Sequence, residues 1–246
     1  MASATDQSRS GRAWQNVLLV GVFALGAWSY ASGVLPQIFE LWEDIVFLTQ
    51  QHVGLVAISG GLAILVGIPL GVWLTRPAMR RYAEIVIQVL NIGTTIPTLA
   101  ILALSMSLLG IGALPSIFGL WLATLLPIVR NTYTGIQAVP AHLIESATGM
   151  GMTRAQILMR VELPNALFVI FAGIRTALAI NVGTVPLAFL IGGGGLGELI
   201  FTGIALDEFG MMLAGAIPTA MLAILVGFAG GHIQFWAVPR GVNPLR

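Results

Sequence analysis

The side chains that carry most enzyme chemistry are scarce in this chain of 246 residues. All 11 basic residues are arginine, because the sequence contains no lysine, and it also contains no cysteine. A phosphate-binding P-loop and a Schiff base both need lysine. Disulfides, cysteine nucleophiles and thiolate metal sites all need cysteine. The sequence therefore excludes ATP hydrolysis through a P-loop and every chemistry that depends on a thiol.

The remaining titratable residues form no recognisable catalytic constellation. His52, His142 and His232 map to different elements, without a His-Glu-x-x-His zinc motif or a Gly-x-Ser-Gly nucleophile. Gly195-Leu-Gly-Glu198 comes nearest to an intramembrane aspartyl motif, but no second intramembrane carboxylate accompanies it. We expect no catalytic residue and no metal site. A net charge of +1 gives no reason to expect a nucleic acid as partner.

The elements that must position the other polar residues are membrane helices. The chain is 57% hydrophobic and 9% charged, whereas soluble domains average about 25% charged residues. A spanning helix needs about 20 apolar residues. Six segments qualify once the stretch from Ile85 is divided at the Gly110–Pro115 turn: Ala13–Phe39, Val53–Thr75, 85–109, 115–135, Pro164–Ile191 and Phe209–Trp236. We predict an all-α integral membrane protein with six transmembrane helices. A cleaved signal peptide is the alternative for the first segment.

The few charges separate onto two sides of this arrangement. Arginines fall in the N-terminus, the 76–81 turn, the 136–163 loop and the tail, while the opposite side receives only carboxylates. Basic residues accumulate on the cytoplasmic side of a membrane. We therefore predict a multi-pass protein of the bacterial cytoplasmic (inner) membrane with both termini cytoplasmic.

Four segments follow from this topology. They are residues 1–35 (cytoplasmic N-terminus and first transmembrane helix), 36–51 (a periplasmic interfacial segment), 52–236 (the helical core with the 136–164 loop) and 237–246 (a cytoplasmic tail). In the second segment Leu41, Trp42 and Ile45 recur at helical spacing between acidic residues, which predicts an amphipathic helix on the outer interface. A short extracytoplasmic loop is the alternative.

The 136–163 loop is the only large cytoplasmic connection. Pro140 suits a first helical turn, and Ala141–Thr148 reads as a short helix that ends at Gly149-Met-Gly151. Thr153-Arg-Ala-Gln156 has the form of a capping box. This box predicts a second short helix that ends before Pro164.

These loop residues resemble the EAA loop of bacterial ABC-importer permeases. That pattern asks for Glu-Ala-Ala, three residues, Gly, nine residues and Ile-x-Leu-Pro, and here Glu145-Ser-Ala147, Gly151 and Val161-Glu-Leu163-Pro164 keep the spacing. The resemblance implies that the first short helix is a coupling helix, which docks in a groove of a separate ATPase subunit. The coupling residues that it implies are Glu145, Ser146, Ala147, Gly151, Leu163 and Pro164.

Further segments resemble the osmoprotectant branch of these permeases, which imports glycine betaine, choline, carnitine and proline betaine. The resemblance covers roughly residues 52–234 and is carried by residues 91–100, 126–135, 172–176 and 191–197. It implies the five-helix core of the type I (MetI-like) importer fold with one additional N-terminal helix. A permease for an amino acid such as methionine would share the EAA loop and is the alternative.

Polar residues inside spans are expensive and usually face a bundle interior or a cavity. The candidates for a translocation path or gate are Asn91, Thr94, Thr95, Pro97, Thr98, Asn131, Asn181 and Thr184. The alternative for each threonine is a hydrogen bond to a neighbouring helix or to its own helix. Arg175 is interpreted as structural or gating, because a cation is a poor lining for a path that carries a quaternary ammonium. It either snorkels toward the cytoplasm or pairs with a carboxylate such as Glu84.

Glycines mark the outer loops and the close helix contacts. By the resemblance, two outer loops face an extracytoplasmic binding protein, and their candidate residues are Gly110, Gly112, Gly194, Gly195 and Gly197. Gly67/Gly71 and Gly227/Gly231 have the small-xxx-small spacing that lets helices approach closely.

The chain is thus interpreted as one half of a membrane path without its own energy source. The resemblance implies two ABC ATPase subunits, a substrate-binding protein and a second permease subunit, either an identical copy or a paralogue, all working in membrane lipid. We expect no cofactor in this chain, with ATP and magnesium bound by the partner ATPase.

Overall fold

The computed structural model describes residues 33–244 together with residues 26, 30 and 31, and this part of the chain contains helices and no strand. The prediction of an all-α fold is confirmed. Most of the predicted first segment (1–35) and the last two residues of the tail lie outside the described residues. The first of the six predicted spans, Ala13–Phe39, therefore stays a prediction.

Ten α-helices follow one another along the described chain. They are α1 (Val34–Glu40), α2 (Trp42–Leu74), α3 (Arg80–Gly93), α4 (Thr98–Leu109), α5 (Ala113–Gln137), α6 (Ala141–Gly149), α7 (Arg154–Ile157), α8 (Leu163–Thr184), α9 (Gly197–Leu206) and α10 (Phe209–Ala237). A π-helical turn, Leu158–Glu162, joins α7 to α8, and a 3-10 segment, Val185–Ile191, follows α8.

Among the described residues four helical segments are long and apolar enough to cross a membrane, and α3 with α4 makes a fifth if this bent pair is one span. These five segments fall where the sequence predicts the second to sixth spans. The boundary near residue 52 differs, because α2 begins at Trp42 and runs without a break to Leu74. Its 33 residues extend about 50 Å, against a hydrocarbon layer of about 30 Å. Residues 36–51 are therefore divided between α1 and the first turns of α2.

Helix α5 lies at the centre of the bundle and packs against α2, α4 and α8. Its Leu120, Ile128 and Val129 are completely buried. At one point α2 approaches α5 so closely that a Cβ on Gly71 would lie 2.9 Å from the carbonyl oxygen of Val129. The prediction for Gly67 and Gly71 is confirmed, since both glycines face α5. It is wrong for Gly227, where a Cβ would meet nothing within 4 Å.

Candidate functional site

The helix predicted as the coupling helix is present as α6, at the end of the bundle where α5 ends and the rod to α8 begins. Ala147 is 1% exposed, and the partly buried Ile144 packs against a cluster that includes Ile136 and Ala166. Glu145 and Ser146 are exposed. One edge of this short helix is therefore anchored to α5 and α8, while the edge that carries Glu145 is open to a partner.

The glycine turn after α6 is a Schellman motif. The N–H of Met152 donates to the carbonyl of Ala147 at 3.1 Å, and the N–H of Gly151 donates to that of Thr148 at 2.9 Å. Gly151 has a φ of +79°, a conformation that residues with a Cβ adopt only at a cost. The backbone conformation alone explains this glycine, because a Cβ there would contact no atom within 4 Å.

The second part of the loop differs from the prediction. The capping box is confirmed, with Gln156 N–H donating to Thr153 Oγ1 at 3.3 Å and Thr153 N–H donating to Gln156 Oε1 at 2.8 Å. The predicted end before Pro164 is wrong, because the π-turn continues the helix into α8. Pro164 lies in the first turn after this change of helical register, where its missing N–H is tolerated. Helix α7, the π-turn and α8 thus form one continuous helical rod that joins the second part of the loop to the span.

An ion pair connects this rod to the C-terminal end of α2. Arg76 Nη2 lies 2.6 Å from Glu162 Oε2, and the two side chains are 27% and 12% exposed. Arg76 also donates to Thr75 Oγ1 at 2.7 Å, which holds the guanidinium at the end of α2. Sequence reasoning missed this pair, because position 162 is the unspecified residue of the EAA pattern. Only the opposite charges on one side of the membrane could have indicated it.

The span formed by α3 and α4 is broken at the predicted Thr-Thr-Ile-Pro segment. The two helix axes meet at 98°. Thr94 Oγ1 donates to the carbonyl of Asn91 at 2.6 Å, and Thr95 Oγ1 donates to that of Ile92 at 2.7 Å. Both hydroxyls bond carbonyls in the last turn of α3, and the carbonyl of Ile92 also accepts the N–H of Thr95 at 2.9 Å. Pro97 then precedes the first residue of α4.

Two of the predicted path residues meet at one cavity. A space of about 440 Å³ is lined by Thr94 of the break and by Pro127, Arg130, Asn131 and Thr134 of α5. Asn131 Nδ2 donates to the carbonyl of Pro127 at 2.8 Å, and its side chain lies directly on Gly173 of α8. Asn131 therefore lines the cavity and at the same time packs against α8.

Asn181 and Thr184 lie elsewhere. Asn181 is 1% exposed, and its Nδ2 donates to Ser59 Oγ on α2 at 2.8 Å. Thr184 Oγ1 donates to the carbonyl of Asn181 at 3.0 Å. Nearby, the fully buried His52 places Nε2 3.1 Å from the carbonyl of Val182, a contact that sequence reasoning missed. Asn181 and His52 therefore fasten α2 to α8, whereas the Thr184 hydrogen bond stays within α8. None of the three lines the cavity at Thr94.

The two predicted outer loops contact each other. Gly112 N–H donates to the carbonyl of Ile191 at 2.8 Å, and Gly195 N–H donates to Gln51 Oε1 at 3.1 Å. Gly110, Gly112, Gly194 and Gly195 all have positive φ, between +77° and +129°. Gly197 differs, because it is buried and a Cβ there would overlap the carbonyl oxygen of Pro186.

The described chain is thus a bundle with four or five segments long and apolar enough to span a membrane and with the short, partly exposed α6 at one end. The family model described as "Binding-protein-dependent transport system inner membrane component" matches residues 67–240. The chain therefore belongs to this family of permease components of ABC importers, which work with an ATPase and a substrate-binding protein.

Several named relatives align over most of the chain. The osmoprotectant import permease protein OsmY of Salmonella typhimurium is 55% identical over 183 residues, which cover 74% of this chain and 78% of that protein. The carnitine transport permease protein OpuCB of Listeria monocytogenes is 41% identical and covers 84% and 94%. The choline transport system permease protein OpuBB of Bacillus subtilis is 42% identical and covers 82% and 93%.

A solved structure confirms the fold. The inward-facing MetNI methionine ABC transporter aligns with a TM-score of 0.72 and 27% identity, covering 80% of this chain and 96% of that chain. The MetI-like importer fold expected from the loop and spans is therefore confirmed, and the described helices supply its core.

Proposed function

We propose that this permease forms the translocation path for a small quaternary-ammonium osmoprotectant, such as glycine betaine, carnitine, choline or proline betaine. The names of the relatives carry the substrate class, since they include osmoprotectant, carnitine and choline permeases. The exposed edge of α6, with Glu145 and Ser146, is the observation that supports the coupling role. An extracytoplasmic binding protein delivers the solute, and ATP and magnesium are bound by the separate ATPase.

In the proposed mechanism α6 docks in the ATPase through Glu145 and Ser146. Ala147 anchors the helix to the bundle, and Gly151 sets its exit direction. Leu163 and Pro164 lie where the rod enters the membrane. Movement of α6 reaches α2 through the Arg76–Glu162 pair and reaches the cavity through the contact of Gly173 with Asn131. Both connections support a switch between inward-facing and outward-facing states.

The proposed path lies at the broken span. Asn91, Thr94, Thr95, Pro97 and Thr98 shape the break, and Asn131 faces it from α5. A second permease subunit, a copy or a paralogue, completes the path from its other side. Asn181 supports the gate by holding α8 against α2 through Ser59, and Thr184 closes the end of α8 by donating to the carbonyl of Asn181.

The proposed orientation places both termini in the cytoplasm of the bacterial inner membrane. The outer loops then present Gly110, Gly112, Gly194 and Gly195 to the binding protein. Membrane lipid covers the apolar residues on the outside of the bundle, such as Ile224 and Phe228, which are 71% and 66% exposed.

Uptake of labelled solutes in cells that hold the complete transporter tests the substrate. We expect uptake of glycine betaine, carnitine or choline and none of methionine. Uptake of methionine alone would contradict the substrate class and favour the amino-acid alternative.

The coupling role is tested separately, in the same cells. Glu145→Arg and Gly151→Asp should abolish uptake while the protein still inserts into the membrane. Normal uptake by both variants would overturn this role.

A further inference from the structure

Arg175 is a cation within a membrane-spanning helix, and no carboxylate in the described part of the chain pairs with it. Its side chain on α8 is exposed. Among the described residues the only ion pair within 4 Å is that of Arg76 with Glu162, and Arg175 makes no hydrogen bond. Glu84, the partner suggested by sequence, is therefore not within pairing distance. A charge at this depth is costly unless an anion or water reaches it.

Two adjacent glycines on α10 make room for this side chain. A Cβ on Gly230 would lie 3.0 Å from Arg175 Cγ, and a Cβ on Gly231 would lie 3.2 Å from Arg175 Nη1. A glycine inside a helix costs about 1 kcal/mol relative to alanine. The close contact with Arg175 explains why these two positions nevertheless have no side chain. Because Cγ lies over Gly230 and Nη1 over Gly231, the side chain extends toward the C-terminal end of α10.

This direction brings the guanidinium toward the membrane surface. Gly231 lies six residues before Ala237, the last residue of α10, which is about 9 Å along the helix axis. An arginine at this depth snorkels so that its charge reaches the headgroup layer. Trp236 is 70% exposed near the same helix end, where tryptophan typically lies at the membrane–water interface.

An adjacent cavity completes the arrangement. An open depression of about 410 Å³ on the surface is lined by Gly231, His232, Phe235 and Trp236. The His232 ring packs against Phe228 at 4.7 Å between ring centroids. Arginine and imidazole N–H groups are donors, so Arg175 and His232 offer donors and a positive charge to an anion on this surface.

The chain itself supplies no acid to this place. Residues 7–39, which include the predicted first transmembrane helix, contain no Asp or Glu. Glu162 already pairs with Arg76. The described part of the chain therefore offers Arg175 no anion, whereas lipid phosphates lie in the headgroup layer that its guanidinium approaches.

We propose that Arg175, in the groove formed by Gly230 and Gly231, binds the headgroup phosphate of an anionic phospholipid of the cytoplasmic leaflet. The guanidinium donates to the phosphate oxygens, and the acyl chains lie along the apolar outer face of α10. Basic pockets between transmembrane helices bind anionic headgroups on this physical basis. The choice of leaflet rests on the proposed orientation, whereas the binding itself does not depend on transport.

Native mass spectrometry of the purified complete transporter tests the site. The detergent-solubilised complex is incubated with phosphatidylglycerol or with phosphatidylethanolamine of the same acyl chains, and retained lipid is counted at increasing lipid concentration. Arg175→Gln removes the charge. Gly230→Ala keeps the charge but displaces the side chain. Gly227→Ala is the matched control on the same helix, because its Cβ would meet nothing within 4 Å.

We expect the wild type and Gly227→Ala to retain phosphatidylglycerol preferentially. Arg175→Gln and Gly230→Ala should each weaken its apparent affinity about tenfold, the effect of losing one hydrogen bond to a charged group. Equal retention by all four proteins would overturn the proposal. Displacement of the lipid by millimolar inorganic phosphate would also overturn it, since the site would then bind free phosphate. Retention is measured without transport, so a wrong substrate assignment would leave this result unchanged.

Discussion

Replacing Arg76 and Glu162 with glutamine, singly and together, tests whether their ion pair connects the coupling rod to α2. The two atoms are 2.6 Å apart, and the residues are 86 positions apart in sequence. Glutamine has the shape of glutamate without its charge, and at position 76 it is a shorter, polar side chain without the guanidinium. If the pair transmits movement of the loop, either single substitution should detach the rod from α2 and uncouple ATP hydrolysis from uptake.

The size of the effect follows from the burial of the pair. Two unit charges about 4 Å apart attract by about 4 kcal/mol at an effective dielectric constant near 20. Desolvation and the ordering of both side chains offset part of this attraction. Glu162 is 12% exposed, but Arg76 is 27% exposed, so solvent screens the pair. We therefore expect a net coupling near 1.5 kcal/mol, the lower end for hydrogen bonds between charged groups, or about tenfold in rate.

The assay is binding-protein-stimulated ATPase activity together with solute uptake, measured in vesicles for the wild type, both single variants and the double variant. Each single variant should lower uptake per ATP about tenfold, and the double variant should be no worse than either. Arg81→Gln is the matched control, since Arg81 donates only to the neighbouring Tyr82 on the protein surface. Effects that multiply in the double variant, or a loss in the control as large as in Arg76→Gln, would refute the reasoning.

Three further predictions compare positions within one helix or loop. Gly151→Ala should reduce uptake, because a Cβ at a φ of +79° costs about 1–2 kcal/mol. Gly149→Ala in the same loop should leave uptake intact, and equal effects of the two variants would contradict the role of the backbone conformation. Gly71→Ala should lower the thermal unfolding temperature, because overpacking costs about 1–3 kcal/mol, while Gly61→Ala on the same helix meets nothing within 4 Å and should not. Asn181→Ala should destabilise the protein by about 1–3 kcal/mol without changing the KM for solute; a KM change at normal stability would place Asn181 in the path after all.

The coupling loop was largely predictable because its structure is local. Two glycines, a proline and a capping box fix the short helix and its turn through neighbouring residues alone. The continuation through Pro164 was not predictable in this way. A proline normally ends a helix, but here the π-turn keeps the rod intact. No spacing of apolar residues predicts such a turn.

The positions of the polar residues in the spans could not be predicted. Helices such as α8 are apolar on nearly every side, so no hydrophobic period shows which face a residue such as Asn131 or Asn181 occupies. Their partners, Gly173 and Ser59, lie on other helices far away in sequence. The same holds for Arg175, whose position depends on two glycines about 55 residues later. Long-range packing, which the sequence pattern does not encode directly, decides each case.

Site-specific crosslinking tests the central claim that α6 couples this permease to an ATPase. The chain contains no cysteine, so Ser146→Cys gives this subunit a single thiol on the exposed edge of α6. With a short bifunctional reagent, we predict a crosslink from this position to the ATPase subunit in the assembled transporter. Ser107→Cys, at an exposed position on α4, should give none. Absence of the Ser146→Cys crosslink in a transporter that still takes up solute would contradict the claim.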